Sequence, residues 1–437
     1  MKRTHYTNEL KKAMDKEVVV NGWCHDVRVL GGINFLLLRD VEGIVQVTAP
    51  KKLVKPEILK IYEKLHQEDV LSVKGKVVKS KAKNADIEII PSDIEVLSKA
   101  DVPLPLDPRG VTPANLDTRL DWRSLDLRRQ ENLAIFRIQS KIMEGMQEFF
   151  RSKGFIQVWT PSILGGLSEG GAEVFKIDFF GKEAYLRQDP QLHRQLLIAA
   201  GFEKIYDMGP SWRAELSDQP THLSEHRTIA PEFAFMKDEC DMMELEQEVC
   251  VAAVKKVIED CEKELQILKK EIEIPKKPFP ELRFPKIYEI LEEHGRKLKV
   301  GSDLDKGSEK VLAKFVKEKY KSDFFFINRF PSEIKPFYVM RVDEDPKWAR
   351  SVDLIFKGLE QSSGGQREHR YEKIVQQIKE KGMNLNSLKW FTEVFRYGVP
   401  PHGGFSLGIE RFTMKLLDVP NIKESVAFPR YPTRMLP

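Results

Sequence analysis

Residues 403–411 read Gly-Gly-Phe-Ser-Leu-Gly-Ile-Glu-Arg, a strand-like run whose glycines lack the Cβ atoms that would keep a ligand away from the backbone. A second run, Ser-Trp-Arg-Ala-Glu at 211–215, sets Arg213 and Glu215 on one face of a strand. Arg213 and Arg411 each offer a fixed fork of donors to phosphate oxygens, so together they suit a triphosphate. Each run alone is more typical of a turn or a surface salt bridge. Their combination favours a nucleotide site, although not a P-loop, since no Gly-x-x-x-x-Gly-Lys-Ser/Thr occurs.

Two acids lie between these runs in the chain. Asp353 and Glu360 are seven residues apart around a predicted strand and turn, and Ser363 follows them. Hard oxygen ligands of this kind suit Mg²⁺, which takes few carboxylates and completes its shell with water and phosphate. Paired acids are also common as solvated charges, but the Gly-Gly-Gln-Arg sequence that comes next ends in another arginine, Arg367. The combination predicts attack on the α-phosphate of ATP, with the metal stabilising the pyrophosphate leaving group.

The N-terminal part of the chain has the pattern of a small β domain. Five runs rich in β-branched residues are separated by turn residues: Val18–Trp23, Phe35–Arg39, Ile44–Thr48, Val70–Val78 and Ile87–Ile90. A helical stretch, Pro56–Leu65, follows the third run, which is the order of an OB barrel. On a strand face that binds single-stranded nucleic acid, Arg28, Phe35 and Gln46 would supply a charge, a stacking ring and an amide. A core position for Phe35 is an equal alternative.

Composition limits the class of protein. The chain has 437 residues, enough for two or three domains, and its 71 basic and 67 acidic residues give a net charge of only +4. Contact with nucleic acid must therefore be local. Four cysteines without CxxC spacing indicate a reducing compartment. With no apolar run of eighteen residues and no signal-like segment, we expect a soluble, cytoplasmic protein without a membrane partner.

Helical periodicity returns in the larger part of the chain. Apolar residues at three- and four-residue steps predict a helix through 135–149, and further helices are predicted over Gln191–Ala200 and 241–270. Strands are predicted at Phe155–Thr160, which stops at Pro161, and at a later group: Asp353–Glu360, Ser363–Arg370 and Phe405–Ile409. The first helix and strand could serve a dimer interface as easily as a core.

With these blocks the sequence resembles the class II aminoacyl-tRNA synthetases, and within them the archaeal type of the aspartyl branch. Phe155–Pro161 is similar to the first class motif, Arg213–Glu215 with His222 to the second, and Gly404–Arg411 to the third. The block Glu-Gln-Ser-Ser-Gly-Gly-Gln-Arg-Glu-His-Arg at 360–370 is close to specific for the aspartyl type. The HIGH and KMSKS signatures of class I are absent from the sequence.

The resemblance implies an α+β architecture: an N-terminal OB-fold barrel joined to a class II catalytic domain with an antiparallel sheet flanked by helices. Residues 1–103 would bind the anticodon, 104–132 would form a linker, and 133–437 would be catalytic. The implied enzyme activates aspartate with ATP and Mg²⁺ to aspartyl-adenylate and transfers it to tRNA(Asp). It would work as a homodimer. Whether tRNA(Asn) is also charged stays open; His25 favours the relaxed specificity.

The resemblance also assigns roles to individual residues. ATP would be bound by Arg213, Glu215, His222, Glu360, Ser363, Gly408 and Arg411, of which Arg213 and Arg411 would be catalytic. Mg²⁺ would be bound by Asp353, Glu360 and Ser363. Aspartate would be bound by Glu169, Asp189, Gln191, Arg194 and Arg367, whose guanidinium would pair with the side-chain carboxylate. The anticodon would be read by His25, Arg28, Phe35, Gln46 and Asn84.

The amino-acid pocket departs from the family pattern. Asp189 replaces a serine, Arg194 replaces a lysine, and Ala230 replaces an aspartate that faces the α-amino group. We hypothesise that Asp189 takes over the contact with the substrate ammonium. Thr221 stands where many members have a second arginine for the phosphates, which predicts one weakened ATP contact.

Two other functions are compatible with these departures. A synthetase paralogue could activate a different acidic amino acid or use an acceptor other than tRNA, although such an enzyme would have no need of anticodon-facing residues. A module that binds tRNA without chemistry is a third possibility. The joint presence of Arg213, Glu360, Arg367 and Arg411 argues against that module.

Overall fold

The structure is a computed structural model that describes residues 1–81, 85–166 and 173–437. The chain divides into two compact units, Met1–Gln130 and Glu131–Pro437. No helix in these described ranges is both long enough and apolar enough to cross a membrane.

The first unit contains a closed five-stranded barrel with the strand order β1-β2-β3-β5-β4. Its strands are β1 (Glu17–Val29), β2 (Ile33–Arg39), β3 (Ile44–Pro50), β4 (Val70–Lys79) and β5 (Ile87–Ser98), with helix α1 (Pro56–Tyr62) between β3 and β4. Alternate residues such as Val18, Val20, Leu36 and Leu38 point into the barrel and are fully buried, as period-two patterning requires. The predicted OB fold is confirmed.

Short helices flank the barrel strands in the chain. A 3-10 helix spans Thr7–Ala13 before it, and α2 (Leu116–Asp121) and α3 (Arg123–Asp126) come after it. Asn115 caps α2 by accepting a hydrogen bond from the backbone N–H of Thr118. The segment predicted as a linker therefore contains regular helical turns.

The second unit is built on an eight-stranded sheet with the order β12-β13-β14-β15-β16-β11-β10-β6. The sheet strands are β6 (Ile156–Val158), β10 (Lys204–Trp212), β11 (Glu225–Ala234), β12 (Glu281–Arg283), β13 (Phe324–Asn328), β14 (Ser351–Phe356), β15 (Leu359–Arg367) and β16 (His402–Gly408). A separate three-stranded sheet holds β7 (Ile163–Leu164), β8 (Lys176–Phe179) and β9 (Lys182–Leu186). The helices are α4 (Gln130–Ser152), α5 (Gln191–Ala199), α6 (Glu239–Asp260), α7 (Glu262–Leu268), α8 (Lys286–Glu293), α9 (Lys306–Tyr320), α10 (Tyr371–Glu380), α11 (Lys389–Thr392) and α12 (Ile409–Leu416).

The large sheet is mixed, whereas the sequence predicted an antiparallel one. Its central strands are antiparallel, but β6 pairs with β10 in parallel, and so does β12 with β13. Each parallel pair is joined by a long connection, with one helix between β6 and β10 and two between β12 and β13, and such a crossover allows two neighbouring strands to run in the same direction.

Helix α6 packs its apolar face on the sheet. Met242, Val249 and Val254 belong to the same buried cluster as Phe405 and Leu407 of β16. The single helix predicted over 241–270 is interrupted between α6 and α7 at Cys261, where the backbone leaves helical geometry at φ −122° and ψ 28°. The helix predicted over Gln191–Ala200 is confirmed as α5.

Candidate active site

A cavity of about 460 Å³ lies over the central strands of the large sheet. Its wall includes most of the residues that the sequence assigned to ATP or to the amino acid: Asp189, Gln191, Arg213, Glu215, Thr221, His222, Glu360, Ser363, Arg367, Gly408 and Arg411. These residues come from the start of α5, the loop between β10 and β11, β15, β16 and the first turn of α12, so the fold brings distant segments of chain to one surface.

Two of the three glycines in residues 403–411 have a packing role. A Cβ at Gly404 would lie 2.0 Å from the carbonyl oxygen of Pro231, and one at Gly403 would lie 2.5 Å from the carbonyl oxygen of Gly365. Both glycines therefore let neighbouring strands approach each other. Gly408 differs: its nearest neighbours would be 3.7 Å or more away, and it lines the cavity. Of the three, Gly408 is the one that leaves room for a ligand.

Arg213 and Arg411 are held by acids at the cavity wall. Arg213 lies 3.9 Å from Glu215, and its side chain stays 50% exposed. Arg411 donates to the backbone oxygen of Glu360 at 3.2 Å and approaches its carboxylate at 3.4 Å. These contacts orient the guanidinium groups and leave donors free to face a phosphate.

The histidines beside these arginines are neutral at pH 7. Burial and the positive charge of Arg411 lower the pKa of His222 to about 4. Burial and Arg213 lower the pKa of His226, another residue of the wall, to about 3. Both rings can therefore offer hydrogen bonds or a flat surface to a nucleotide, but no charge.

Carboxyl groups cluster around Glu360 of the cavity wall, although Asp353 and Glu309 lie off the wall itself. Asp353 lies opposite Ser363 in the pairing of β14 with β15, and Lys335 approaches it at 3.4 Å. Burial and the nearby Glu360 raise the pKa of Asp353 to about 6. Burial, Glu360 and Asp353 likewise raise the pKa of Glu309, in α9, to about 7. Mutual repulsion of this kind is what a divalent cation would relieve.

The protein alone supplies few ligands for such a cation. Within the ranges that the structure covers, no group of three or more His, Cys, Asp or Glu side chains is arranged to hold a metal ion. Two carboxylates and a hydroxyl fit Mg²⁺, which binds through one or two carboxylates plus water and substrate phosphates.

A buried network of charges closes the other end of the cavity. Arg194 binds Asp189 through two hydrogen bonds of 2.6 and 2.8 Å, and Arg367 binds Glu232 at 2.9 Å. The amide oxygen of Gln191 accepts from both arginines, at 2.7 and 2.8 Å. Two guanidinium groups and two carboxylates thus neutralise each other, as buried charges must.

The departures from the family pattern have different positions in this network. Asp189 lines the cavity, and its side chain is 22% exposed. The side chain of Arg194 is only 1% exposed, lies behind Asp189 and Gln191, and is not part of the cavity wall. Ala230 is buried in β11 and also lies off the wall. Arg194 can therefore influence the cavity through its hydrogen bonds to Asp189 and Gln191, which line it.

Several residues of the site were missed by sequence reasoning. Glu232 is fully buried and is the carboxylate partner of Arg367. Its signal was an acid within an apolar strand, which requires a partner. Lys335, Asp303 and His226 also line the cavity. They lie on segments that come together only in the folded sheet, and nothing in their local sequence marks them.

The described residues that the sequence predicted to contact nucleic acid lie on strands β1, β2 and β3 of the barrel. In the strand register Arg28 pairs with Phe35, and Phe35 with Thr48. Phe35 is half-buried and lies outside the barrel's core cluster, so of the two alternatives it takes the outward one. The Gln46 amide donates to the Glu88 carboxylate at 3.0 Å. Glu88, which the sequence reading missed, is held there by two hydroxyl groups as well.

Arg28 and His25 are both on β1, with different surroundings. The side chain of Arg28 is 72% exposed and lies 3.2 Å from Asp26. His25 sits at a bulge in β1, with Nδ1 3.1 Å from Arg39. Burial and Arg39 lower the pKa of His25. Asn84 and Glu169, which were also predicted as site residues, lie outside the described residues.

Comparison with known proteins gives full-length similarities. The family model of class II tRNA synthetases (D, K and N) matches residues 115–432, and that of the OB-fold nucleic acid binding domain matches residues 18–97. The chain is 46% identical over 438 residues to an aspartate–tRNA(Asp) ligase of Pyrococcus horikoshii and 42% identical to an aspartate–tRNA(Asp/Asn) ligase of Methanopyrus kandleri, with all of each chain covered.

Solved structures of the same group are also similar. Asparaginyl-tRNA synthetase from Pyrococcus horikoshii, complexed with asparaginyl-adenylate, has a TM-score of 0.92 at 31% identity and full coverage of both chains. Aspartyl-tRNA synthetase from Entamoeba histolytica has a TM-score of 0.90 at 29% identity, covering 100% of this chain and 93% of the other.

Proposed function

The chain belongs to the class II tRNA synthetases of the D, K and N group, and from this membership we propose that it attaches aspartate to tRNA. One observation carries the proposal: Arg367, fixed by Glu232 and Gln191, lies in the same cavity as Arg213 and Arg411. A carboxylate-binding group and two phosphate-binding groups thus face one space. The relatives named as aspartate–tRNA ligases support the same reaction.

In the first step, an oxygen of the aspartate α-carboxylate attacks the α-phosphorus of ATP. The bond from that phosphorus to the bridging oxygen breaks, and pyrophosphate leaves with the electron pair. Arg213 and Arg411 donate to the phosphate oxygens whose negative charge rises in the transition state. Because Glu215 and Glu360 hold the two guanidinium groups beforehand, little reorganisation is required during reaction.

In the second step, a ribose hydroxyl at the 3′ end of tRNA attacks the carbonyl carbon of aspartyl-adenylate. The bond to the AMP oxygen breaks, AMP leaves, and the hydroxyl proton passes to a phosphate oxygen or to water. The neutral rings of His222 and His226 add no positive charge that would retain AMP.

Asp353, Glu360 and Ser363 would hold Mg²⁺ beside the phosphates. The ion would neutralise charge on the pyrophosphate leaving group. The raised pKa values of Asp353 and Glu309 support a site that gains from an added cation.

Selection of aspartate over asparagine would rest on Arg367. Nε and Nη2 of Arg367 already donate to protein oxygens, so Nη1 would make the charge-assisted bond to the side-chain carboxylate, and a neutral amide would gain less from that bond. Asp189 would receive the substrate ammonium, since its carboxylate is the acid of the buried network that reaches the cavity wall. Arg194 would then be a positioning residue that orients Asp189 from behind.

The barrel would bind the anticodon, with Phe35 stacking on a base and Gln46 and Arg28 contacting base or phosphate. Some relatives are named for both tRNA(Asp) and tRNA(Asn), so the second tRNA is a further substrate to test. We place the enzyme in the cytoplasm, where tRNA is charged.

A second copy of the chain is the partner proposed for the edge of the large sheet. Strand β6 is the outermost strand there; Ile156, its first residue, is 52% exposed, and Trp159, just after it, is 74% exposed. Apolar side chains along an unpaired strand edge are typical of a surface that another chain covers.

The test is ATP–pyrophosphate exchange with aspartate and with asparagine, followed by charging of tRNA(Asp) and tRNA(Asn). We expect exchange with aspartate, its loss in Arg411→Ala, and charging of tRNA(Asp). Exchange with asparagine alone would show that the altered pocket has changed the substrate. Exchange with aspartate but no charging of either tRNA would point to a different acceptor.

A further inference from the structure

Lys306 reaches the loop that forms one wall of the ATP cavity. It is the first residue of α9, and its ammonium donates to the side-chain oxygen of Gln219. Gln219 lies in the loop between β10 and β11, two residues before Thr221 and three before His222, which both line the cavity. Asp303, three residues before Lys306, lines it as well. Lys306 is therefore a cation at the edge of the site.

The hydrogen-bond partner of Lys306 carries no charge, although Glu309, one turn along α9, is close enough for the lysine to lower its pKa. A second lysine, Lys423, holds the same loop, but it pairs with the carboxylate of Asp218 at 2.7 Å. Gln219, in contrast, is a neutral amide, and it is the hydrogen-bond partner that Lys306 has in the described part of the chain. After burial and Arg411, Lys306 is the next cause that lowers the pKa of His222, so its charge acts on the cavity itself.

The loop side of the cavity has little other positive charge to offer a triphosphate. Arg213 is partly compensated by Glu215 at 3.9 Å, and Arg411 by Glu360 at 3.4 Å. Thr221 is uncharged. Mg²⁺ would offset part of the charge of the terminal phosphates, and a further cation on this side of the cavity would offset more of it.

We propose that Lys306 is a third phosphate-binding residue, which leaves Gln219 when ATP binds and pairs with the terminal phosphates. The flexible four-carbon stem of lysine permits this movement, and its compact charge suits a phosphate oxygen. Gln219 then serves as the resting partner that keeps the ammonium near the site. The inference rests on the proposed adenylation reaction, for which it names one further ligand of ATP.

The first experiment measures ATP and pyrophosphate in exchange with the full-length enzyme. In Lys306→Ala we expect the KM for each to rise roughly tenfold, the size of one lost charge-assisted bond. Inhibition by AMP, which lacks the terminal phosphates, should be unchanged, and Lys306→Arg should restore most of the affinity. Lys314 lies on the same helix and its side chain is 78% exposed, so Lys314→Ala is the matched control and should behave like the unaltered enzyme.

A second pair of variants separates phosphate binding from a mere anchor for the loop. If Lys306 only fixes the loop, Gln219→Ala must raise the KM for ATP as much as Lys306→Ala does. If Lys306 binds phosphate, Gln219→Ala leaves the KM unchanged or lowers it. Adding an arginine nearby, in Thr221→Arg, should also shrink the effect of Lys306→Ala.

An equal rise in the KM for ATP in Lys306→Ala and Gln219→Ala would overturn the proposal, as would an unchanged KM in Lys306→Ala. In either case normal exchange by the unaltered enzyme would leave the proposed function intact. Failure of exchange by the unaltered enzyme would remove the proposed function instead. Calorimetry would then still decide the role of Lys306, by comparing the affinity for ATP alone of the unaltered protein and of Lys306→Ala.

Discussion

Glu246 holds a proton at neutral pH because it is enclosed under the active-site strands. The hydroxyl of Ser362 donates to it, and its second carboxyl oxygen has no hydrogen-bond partner. Burial, opposed by Ser362 and assisted by Asp353, raises the pKa of Glu246 from 4.5 to about 8. Between these values the folded protein keeps a proton that the unfolded chain has released, so stability falls as pH rises.

Glu246→Gln should remove this dependence. Relative to the variant, the unaltered protein should lose up to about 1.4 kcal/mol of unfolding free energy per pH unit between pH 5 and 8, and no more above pH 8. Denaturant titrations at several pH values give the two curves. Parallel curves across that range would mean that Glu246 is already ionised in the folded protein.

Asp189 can be tested for contact with the substrate ammonium. In Asp189→Ala we expect the KM values of aspartate and asparagine to rise together, each by roughly tenfold or more, because both carry the same ammonium group. Exchange kinetics with both amino acids measure this. A lower KM for aspartate alone would mean that Asp189 acts by neutralising Arg194. The guanidinium, freed in the variant, would then attract the substrate carboxylate.

Strand β16 offers two glycines with opposite roles, which makes them a matched pair. Gly404→Ala would force a methyl group into the carbonyl of Pro231 and separate β16 from β11. We therefore expect the free energy of unfolding to fall by about 2 kcal/mol or more. Gly408→Ala has room, so stability should hold while the KM for ATP rises. Thermal unfolding and exchange kinetics distinguish the two; a destabilised Gly408→Ala with a normal KM would reverse the assignment.

At the level of elements, the local sequence pattern predicts which segments form strands and helices better than it predicts how the strands pair. The barrel strands could be predicted because runs rich in β-branched residues, such as Val18–Trp23, are separated by turn residues, and that pattern is local. The break at Cys261 was not visible, since the apolar periodicity continues across it. The parallel edges of the large sheet were missed because strand direction depends on crossovers, which single-strand patterns do not contain.

The candidate active site likewise has one part that the sequence predicts and one part that it does not. Arg213, Glu360, Arg367 and Arg411 stand in short runs that could be recognised singly, and the cavity brings them together. The pairing of Arg194 with Asp189 could not be read from the sequence. It depends on a turn into α5 that buries one partner and leaves the other on the wall.

At the scale of the molecule, the proposed anticodon site and the proposed ATP site lie in different units. Phe35 lies in Met1–Gln130 and the ATP cavity in Glu131–Pro437. Phe35→Ala should therefore raise the KM for tRNA about 5- to 150-fold, the range for one lost base stack, and leave ATP–pyrophosphate exchange unchanged. Charging of tRNA(Asp) and exchange, measured on one preparation, give both numbers.

Leu53→Ala is the matched control, because Leu53 belongs to the same unit and its side chain is 71% exposed. Its removal should alter neither assay, which separates loss of a stacking ring from loss of an exposed apolar group. If Phe35→Ala slows exchange as well as charging, the barrel influences the adenylation step, and binding of the anticodon would then be coupled to the chemistry. If charging also stays normal, the base stacks elsewhere, and the polar group formed by Gln46 and Glu88 becomes the next part of the face to test.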